Sequence, residues 1–403
     1  MSTSLLYHAF GIRGYRYTRT GYEDGGVVFT IRQDRGQLRC SACGASPVIL
    51  RGTVERRFLA PPIGGRPVTI VFPVPRVECL SCGLVRQVEV SFAEERRRHT
   101  RTFERYVLEL SRLMTILDVA LHLGVSWDLV KDIQKRYLTR RFAKPRLKDL
   151  RLLAIDEISV RKGHRYMTVV LDLETGVVVY VGKGRGSKAL EPFWRRLKSS
   201  GARVKAVSTD FSAAYVLAVT THLPDAVLVF DRFHVIKLMG EKLSDLRRDL
   251  QREAEGMQKK VLKGTRWLLL KNPENLDGDR RERERLEEAL LLNRPLAAAY
   301  YLKEDLRQLW EQKDKETATK FLDDWIRRAQ TSGIQILKRF AQTLAARRSG
   351  LLAWYDYPIS TGPLEGTNNK IKVMKRQAYG YRDQEFFKLK ILALHETRRV
   401  LVG

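Results

Sequence analysis

No run of about 18 consecutive apolar residues occurs in this sequence, which excludes a helical membrane span. The opening residues, Met1-Ser2-Thr3-Ser4-Leu5-Leu6-Tyr7-His8, have no basic segment leading into a long apolar one, so no secretory signal is expected. Acidic residues are few: 46 Asp plus Glu stand against 74 Lys plus Arg, a net charge of +28 spread along the chain. A fold has no use for that excess, which costs self-repulsion, so it implies a polyanionic partner. With no membrane segment, nucleic acid is the expected partner and the cytoplasm the expected setting. A ribosome-associated or simply basic thermophilic protein is the competing reading. Internal repeats, low-complexity segments and a Ser-His-Asp constellation are also missing. Gly182-Lys183-Gly184-Arg185-Gly186 lacks the Lys-Ser/Thr ending of a phosphate-cradling P-loop.

Cysteine is scarce too, with four residues, all within the first 82, as Cys40-Ser41-Ala42-Cys43 and Cys79-Leu80-Ser81-Cys82. A glycine follows each pair (Gly44, Gly83), the small residue that lets backbone amides turn toward thiolates. Two such knuckles offer four soft ligands, which suits tetrahedral structural zinc. Between them lie strand-like stretches such as Pro67-Val68-Thr69-Ile70-Val71-Phe72, so a β-rich zinc ribbon is expected. Disulfides are the weaker alternative without a secretory route.

At 403 residues the chain has material for two to four domains. From Thr100 the pattern becomes helical, first over 102–113, then over 115–126 and 127–138. Ala120 and Gly124 suit a tight helix-turn-helix crossing, and Ser126 is a good N-cap for the next helix. That helix is the expected DNA reader, with Trp127, Lys131, Gln134 and Lys135 as exposed candidates. A plain three-helix packing unit is the alternative, and His122 reads as a surface or core histidine. Residues 139–149, broken by Pro145, read as a basic linker in which nothing packs. Its Arg140, Arg141, Lys144 and Arg146 are candidate phosphate contacts.

An α/β pattern follows. Strands are expected over 152–158, 165–173 and 177–182, with a hairpin turn at Glu174-Thr175-Gly176. A helix over 187–200, a strand over 204–209, a helix over 212–222 and a strand over 226–230 complete it. Three antiparallel strands, then helix, strand, helix, strand, is the order of an RNase H-like sheet. In that order carboxylates at the ends of the first and fourth strands, Asp156 and Asp210, lie side by side. A charge on an apolar strand needs a partner. Glu157 should point to the opposite face from Asp156, and Asp231 is a second competing candidate. Residues 241–355 read as all-α, with Trp267, Trp310, Trp325 and Trp354 mostly core and base stacking by Trp267 as an alternative. A last helix then carries Glu365, Asn368, Asn369 and Lys372 on one face, with Arg376 beyond. A solvated polar face is the bland reading of that helix. The sharp one is that Asp156, Asp210 and Glu365 converge on Mg²⁺ or Mn²⁺. Two such ions about 3.5–4 Å apart serve in-line phosphoryl displacement.

The expected multidomain fold is therefore a β-rich zinc ribbon (1–99), an all-α helix-turn-helix with basic linker (100–148), and an α/β RNase H-like catalytic core (149–240 and 356–403). An all-α insertion (241–355) interrupts the core. The chain resembles bacterial insertion-sequence transposases with a DDE triad, of the ISL-three group. The resemblance rests on YHAFGIRGY, CSACG, CLSCG, LLAIDEISVRKGHRYMTVVLDL, STDFSAAY, FDRFHV and GPLEGTNNKIKVMKRQAYGYRD. It implies Asp156, Asp210 and Glu365 as the metal-binding catalytic triad, Cys40, Cys43, Cys79 and Cys82 as zinc ligands, and a nucleoid-associated bacterial protein. Asp231-Arg232-Phe233-His234 is similar to a D-x-x-H motif of several DDE transposases, which implies a DNA contact or metal-site support for His234; a structural histidine is the alternative. The implied activity is binding of an element's terminal inverted repeats in double-stranded DNA, cleavage, and joining to target DNA by a homodimer or larger assembly. A catalytically inactive DNA-binding regulator and a structure-specific nuclease on a related core are the alternatives.

Overall fold

In the computed structural model, which describes residues 4–161 and 165–395, a short helix α1 (Leu5–Phe10) leads into β1 (Arg16–Glu23) and β2 (Gly26–Arg32). Lys162, Gly163 and His164, part of the long motif around Asp156, lie outside the described residues. Two long strands follow, β3 (Val48–Ile63) and β4 (Arg66–Cys79), with a short β5 (Val85–Gln87) paired to β4. The sheet order is β1-β2-β4-β3, and β2 and β4 run parallel while the other pairs are antiparallel. β4 supplies much of its core: Val68, Ile70, Phe72 and Val74 alternate inward, as a half-buried strand requires, and Val77 joins them beyond a register shift against β3. Against them pack Phe58 of β3 and Leu6, Phe10 and Ile12 near the amino terminus.

Three helices complete this first unit, which ends at Ala143: α2 (Arg101–Leu110), α3 (Ile116–Leu123) and α4 (Trp127–Phe142). Each is capped by its own sequence. Thr100 accepts from the Phe103 N–H, Thr115 and Asp118 form a reciprocal capping box, and Ser126 accepts from the Leu129 N–H. Gly124 closes α3 in the left-handed conformation (φ 63°), and Ala120 is buried where α3 and α4 meet. The helix-turn-helix geometry thus follows from residues 115–126.

Two expectations fail here. Gln134 is buried, not exposed, because it lies one turn from both Val130 and Leu138 on the face of α4 that packs inward. The stretch 139–149 is not an unpacked linker: α4 continues to Phe142, and Leu147 joins the core of the second unit beside Leu150.

The second unit, from Lys144, is built on β6 (Leu152–Arg161), β7 (Arg165–Asp172) and β8 (Val178–Lys183), then α5 (Ser187–Ser200), β9 (Ala206–Thr209), α6 (Ala213–His222) and β10 (Val227–Phe230). The sheet order is β10-β9-β6-β7-β8, with β6, β7 and β8 antiparallel and β9 and β10 parallel to β6. One face is covered by α5 and α6 through Leu190, Phe193, Trp194, Tyr215 and Val219. β6 does not end at its acidic pair but runs four residues further, to Arg161. β9 is the shorter strand, so Asp156 sits where its neighbour stops.

The helix α7 (Arg232–Glu253) leaves β10 and runs without a break across residue 241. It is followed by α8 (Gly256–Leu262), α9 (Arg266–Leu270), α10 (Glu282–Leu291), α11 (Arg294–Arg307), α12 (Lys315–Thr331), α13 (Gln335–Ala346) and α14 (Arg348–Leu352). These share one core with Phe230, Val235 and Met239, in which Trp325 is fully buried and donates to the Leu302 carbonyl at 2.8 Å. Trp310 is buried and Trp354 half-buried, whereas Trp267 is exposed. Gly350 lets α14 lie close on β10, since a Cβ there would sit 2.5 Å from the Phe230 ring. The chain then returns to the sheet with α15 (Gly362–Gln377), which carries Glu365 and packs against β6. α15 is not the last helix: α16 (Gln384–Leu392) follows and packs against β8. No described helix is long and apolar enough to cross a membrane.

Candidate active site and zinc centre

The two cysteine knuckles are brought together by the β3–β4 hairpin, whose register pairs Val48 with Cys79. In each knuckle the glycine has a positive φ (77° at Gly44, 69° at Gly83) and donates its N–H to the carbonyl of the first cysteine. Sγ of Cys40 lies 3.7 Å from that of Cys82, and Sγ of Cys43 lies 3.6 Å from that of Cys79. All four sulfurs lie within 4.8 Å of one another. Tetrahedral zinc with bonds of about 2.3 Å separates its sulfurs by about 3.8 Å, so the donor set fits that ion. These separations are far beyond a disulfide bond of about 2 Å, and the four cysteines are free. The Cys82 backbone N–H holds the Cys79 thiol down at about 6, toward the thiolate a metal binds.

The second centre is assembled on the sheet. In the β6–β9 ladder Leu153 pairs with Val207 and Ala154 with Ser208, so the register carries Asp156 level with Asp210. Oδ1 of Asp156 accepts the Glu157 backbone N–H at 2.7 Å, and Oδ2 accepts the Asn368 side-chain amide of α15 at 2.9 Å. Burial pushes the Asp156 carboxyl above its usual range. The Glu157 N–H and the nearby His234 oppose that rise, and the charges of Asp210 and Glu157 add to it. Asp210 is half-buried and accepts the Ser212 N–H at 2.9 Å, which fixes the turn between β9 and α6.

Asp231, at the junction of β10 and α7, is 2% exposed. Its Oδ1 accepts the Thr361 N–H at 3.2 Å and so anchors the start of α15. Its Oδ2, Asn368 Oδ1 and the hydroxyls of Ser208 and Thr209 are buried without a hydrogen-bond partner among the described residues. His234 is half-buried in the first turn of α7, beside the Phe233 ring.

The face of α15 is divided. Asn368 is buried at Asp156, while Glu365, Asn369, Lys372 and Arg376 are exposed. Glu365 occupies the first helical turn, one turn ahead of Asn368. Among the described residues, the four cysteines are the only group of three or more Cys, His, Asp or Glu side chains with ligand atoms within 4.8 Å, so Glu365 does not close on Asp156 and Asp210 at that range.

Glu157 does point away from Asp156. Its Oε2 accepts the Tyr215 hydroxyl at 3.1 Å, and that hydroxyl lies 3.1 Å from the Thr168 hydroxyl. Tyr215 and Thr168 carried no expected role, although Tyr215 ends the motif STDFSAAY. The signal was the acidic pair itself, whose second member needs a partner on the far face. On α4, Trp127 is exposed with the Lys131 ammonium 5.2 Å above its ring, and Lys135 is half-buried. Arg140, Arg141, Lys144 and Arg146 are exposed; Arg140 lies 3.6 Å from Glu94 and Arg146 pairs with Asp149 at 3.1 Å.

Three family models match this chain in series. One described as a zinc-finger of transposase IS204/IS1001/IS1096/IS1165 covers residues 37–82, and a helix-turn-helix domain of transposase family ISL3 covers 88–138. A third, the DDE transposase model of ISL3, covers 153–391. Together they define a DNA transposase of the DDE class that carries a zinc ribbon and a DNA-binding helix-turn-helix. The transposase of insertion sequence element IS1001 from Bordetella parapertussis is 35% identical over 400 residues, 98% of each chain. That of IS1557 from Mycobacterium tuberculosis is 30% identical, across 94% of this chain and 90% of its own. The chain belongs to the ISL3 family of insertion-sequence transposases. The Drosophila P element transposase strand transfer complex is a distant match, with a TM-score of 0.35 and 12% identity over 62% of this chain and 78% of that one.

Proposed function

We propose that this transposase binds the terminal inverted repeats of its element, cuts DNA at their ends and joins the 3′-OH ends to target DNA, using Asp156, Asp210 and Glu365 as its catalytic carboxylates. The observation that carries the reading is the level placement of Asp156 on β6 and Asp210 just past the end of the parallel β9, with α15 tied to Asp156 through Asn368. The strand order, three antiparallel strands followed by two parallel ones on the other side of β6, supports an RNase H-like core. The helices between α7 and α15 then form an all-α insertion within it.

The donor set fits a hard divalent cation. Asp156 and Asp210 offer carboxylate oxygens, the Asn368 that touches Asp156 has a buried oxygen without a partner among the described residues, and hard oxygens are what magnesium and manganese select. Asp156, Asp210 and Glu365 would hold Mg²⁺ or Mn²⁺, which supplies activation of a water or 3′-hydroxyl and neutralisation of the leaving oxygen. Asn368 orients Asp156 by donating to Oδ2, and leaves Oδ1 held only by the adjacent backbone N–H. Asp231 positions α15, and hence Glu365, through the Thr361 N–H. Lys372 and Arg376, exposed further along α15, are placed to meet phosphate. On α4, Trp127, Lys131 and Lys135 are the DNA-reading candidates, with Arg140, Arg141, Lys144 and Arg146 as backbone contacts. Joining requires two element ends held at once, so the active form is a homodimer or larger.

The test is cleavage and joining of a labelled duplex carrying the element's ends, in Mg²⁺ or Mn²⁺. Asp156→Asn, Asp210→Asn and Glu365→Gln should each abolish both steps while leaving repeat binding intact. Cleavage retained by all three variants would remove the triad. Repeat-specific binding without cleavage by the unmodified protein would make it a regulator. Cutting of branched DNA without joining would make it a nuclease.

A further inference from the structure

Far from the carboxylates in sequence, the turn of chain around α8 and α9 carries a second basic feature. Residues 256–273 contain no acidic side chain, and Lys259, Lys260, Lys263 and Arg266 are exposed. None of the ion pairs among the described residues uses these four. Beside them, Ser244, Arg247 and Arg248 of α7 and Arg266 of α9 line a cavity of about 190 Å³.

Arg247 is the informative member. It is 8% exposed and donates through Nη1 to Gln251 at 2.6 Å and to the Leu262 carbonyl at 3.2 Å, so its guanidinium is fixed in place. Its Nε is buried with no acceptor among the described residues. Burial and the neighbouring Arg266 and Arg248 all press its pKa down, the signature of a cation held among cations. Asp245 pairs with Arg248 alone, so the cavity remains net positive. Next to Arg266 in the chain, Trp267 is 65% exposed, with the Arg266 guanidinium 4.8 Å over its ring. A buried unpaired donor among guanidiniums suits an anionic acceptor, and a large exposed indole next to Arg266 offers a stacking platform.

We propose that the cavity between Arg247, Arg248 and Arg266 takes one phosphate of bound DNA, with an adjoining unpaired base stacked on Trp267. This second DNA contact, on the helical bundle, rests on the assignment of the chain as a DNA transposase. It needs no carboxylate and no metal.

Binding of the full-length protein to a fluorescein-labelled duplex carrying the element's ends with a short single-stranded overhang, followed by anisotropy over a range of KCl concentrations, tests it. Arg248→Gln/Arg266→Gln should reduce the slope of log K against log salt by about 1, the value for one phosphate contact. Trp267→Ala should weaken binding roughly 5- to 100-fold, with Trp267→Phe retaining most of the affinity. The side chains changed are exposed, so circular-dichroism melts should match the parent, and a variant that melts early is replaced by the Trp267 pair. Duplex binding with unchanged slope and affinity in these variants overturns the proposal while leaving the transposase reading standing. Failure of the parent protein to bind duplex at all overturns both.

Discussion

At the scale of single residues, the proposed centre is joined to α15 by one amide. Asn368 donates to Asp156 from 212 residues away, and its own carbonyl oxygen is buried without a partner. A hydrogen bond to a charged group contributes roughly 1.5–3 kcal/mol, so Asn368→Ala should slow single-turnover cleavage roughly 10- to 100-fold with DNA affinity unchanged. Equal losses in rate and in binding would point instead to a misfolded α15. The sequence revealed the chemistry of this face but not its division. A period of 3.6 places Glu365, Asn368, Asn369 and Lys372 together, yet only contact with β6 decides that Asn368 is the buried one. Gln134 teaches the same lesson in reverse. Its amide suggested a reader of bases, but Val130 and Leu138, one turn away on either side, turn it inward. Glu157 was legible, because alternation along a strand needs no tertiary information.

Among the elements, the β3–β4 hairpin and the three capped helices were readable because their signals are local. Thr100, Thr115, Asp118 and Ser126 each bond within three residues of themselves. The hairpin depends on its cysteine clasp, so chelation of zinc, or Cys79→Ser, should lower the melting temperature of the first unit and leave the second transition in place. Zinc content and differential scanning calorimetry check this together. α2 is tied to α4 by charge: Glu104 accepts from His99 at 2.8 Å and from Arg136 at 2.8 Å. Burial opposes its charge, but those two donors prevail and hold its carboxyl at about 2, below the ordinary 4.5. A depressed acid stabilises the fold above its ordinary value, and that stability is lost as pH falls through about 2. The loss is on the order of 3 kcal/mol, and should appear as a drop in urea midpoint between pH 5 and pH 2 that Glu104→Gln lacks. A pH dependence identical in the variant would refute the role of the cluster.

For the molecule as a whole, the excess of basic residues announced a polyanionic partner but not where it binds, since Arg136, Arg328 and Arg348 are engaged in ion pairs with carboxylates. The division into two units at Ala143 and Lys144 was also hidden, because a basic run with Pro145 reads as a linker whether or not Leu147 is core. Limited trypsin digestion should cut first at Arg146, which is exposed, since Pro145 blocks cleavage after Lys144, and yield a fragment ending there. Early cuts confined to the α8–α9 turn would show a different weak point. The order of parts along the chain has a further consequence. Translation releases the zinc ribbon and helix-turn-helix first, then Asp156, and the amide that orients Asp156 only 212 residues later, roughly ten to forty seconds at bacterial rates of elongation. A chain that stops before Gly362 thus carries its DNA-reading parts and lacks the helix that arms them. On the proposed site assignment, a copy that stops after Phe142 but before Gly362 would hold DNA without cutting it, so premature termination in that window would yield a competitor of the enzyme from the same reading frame.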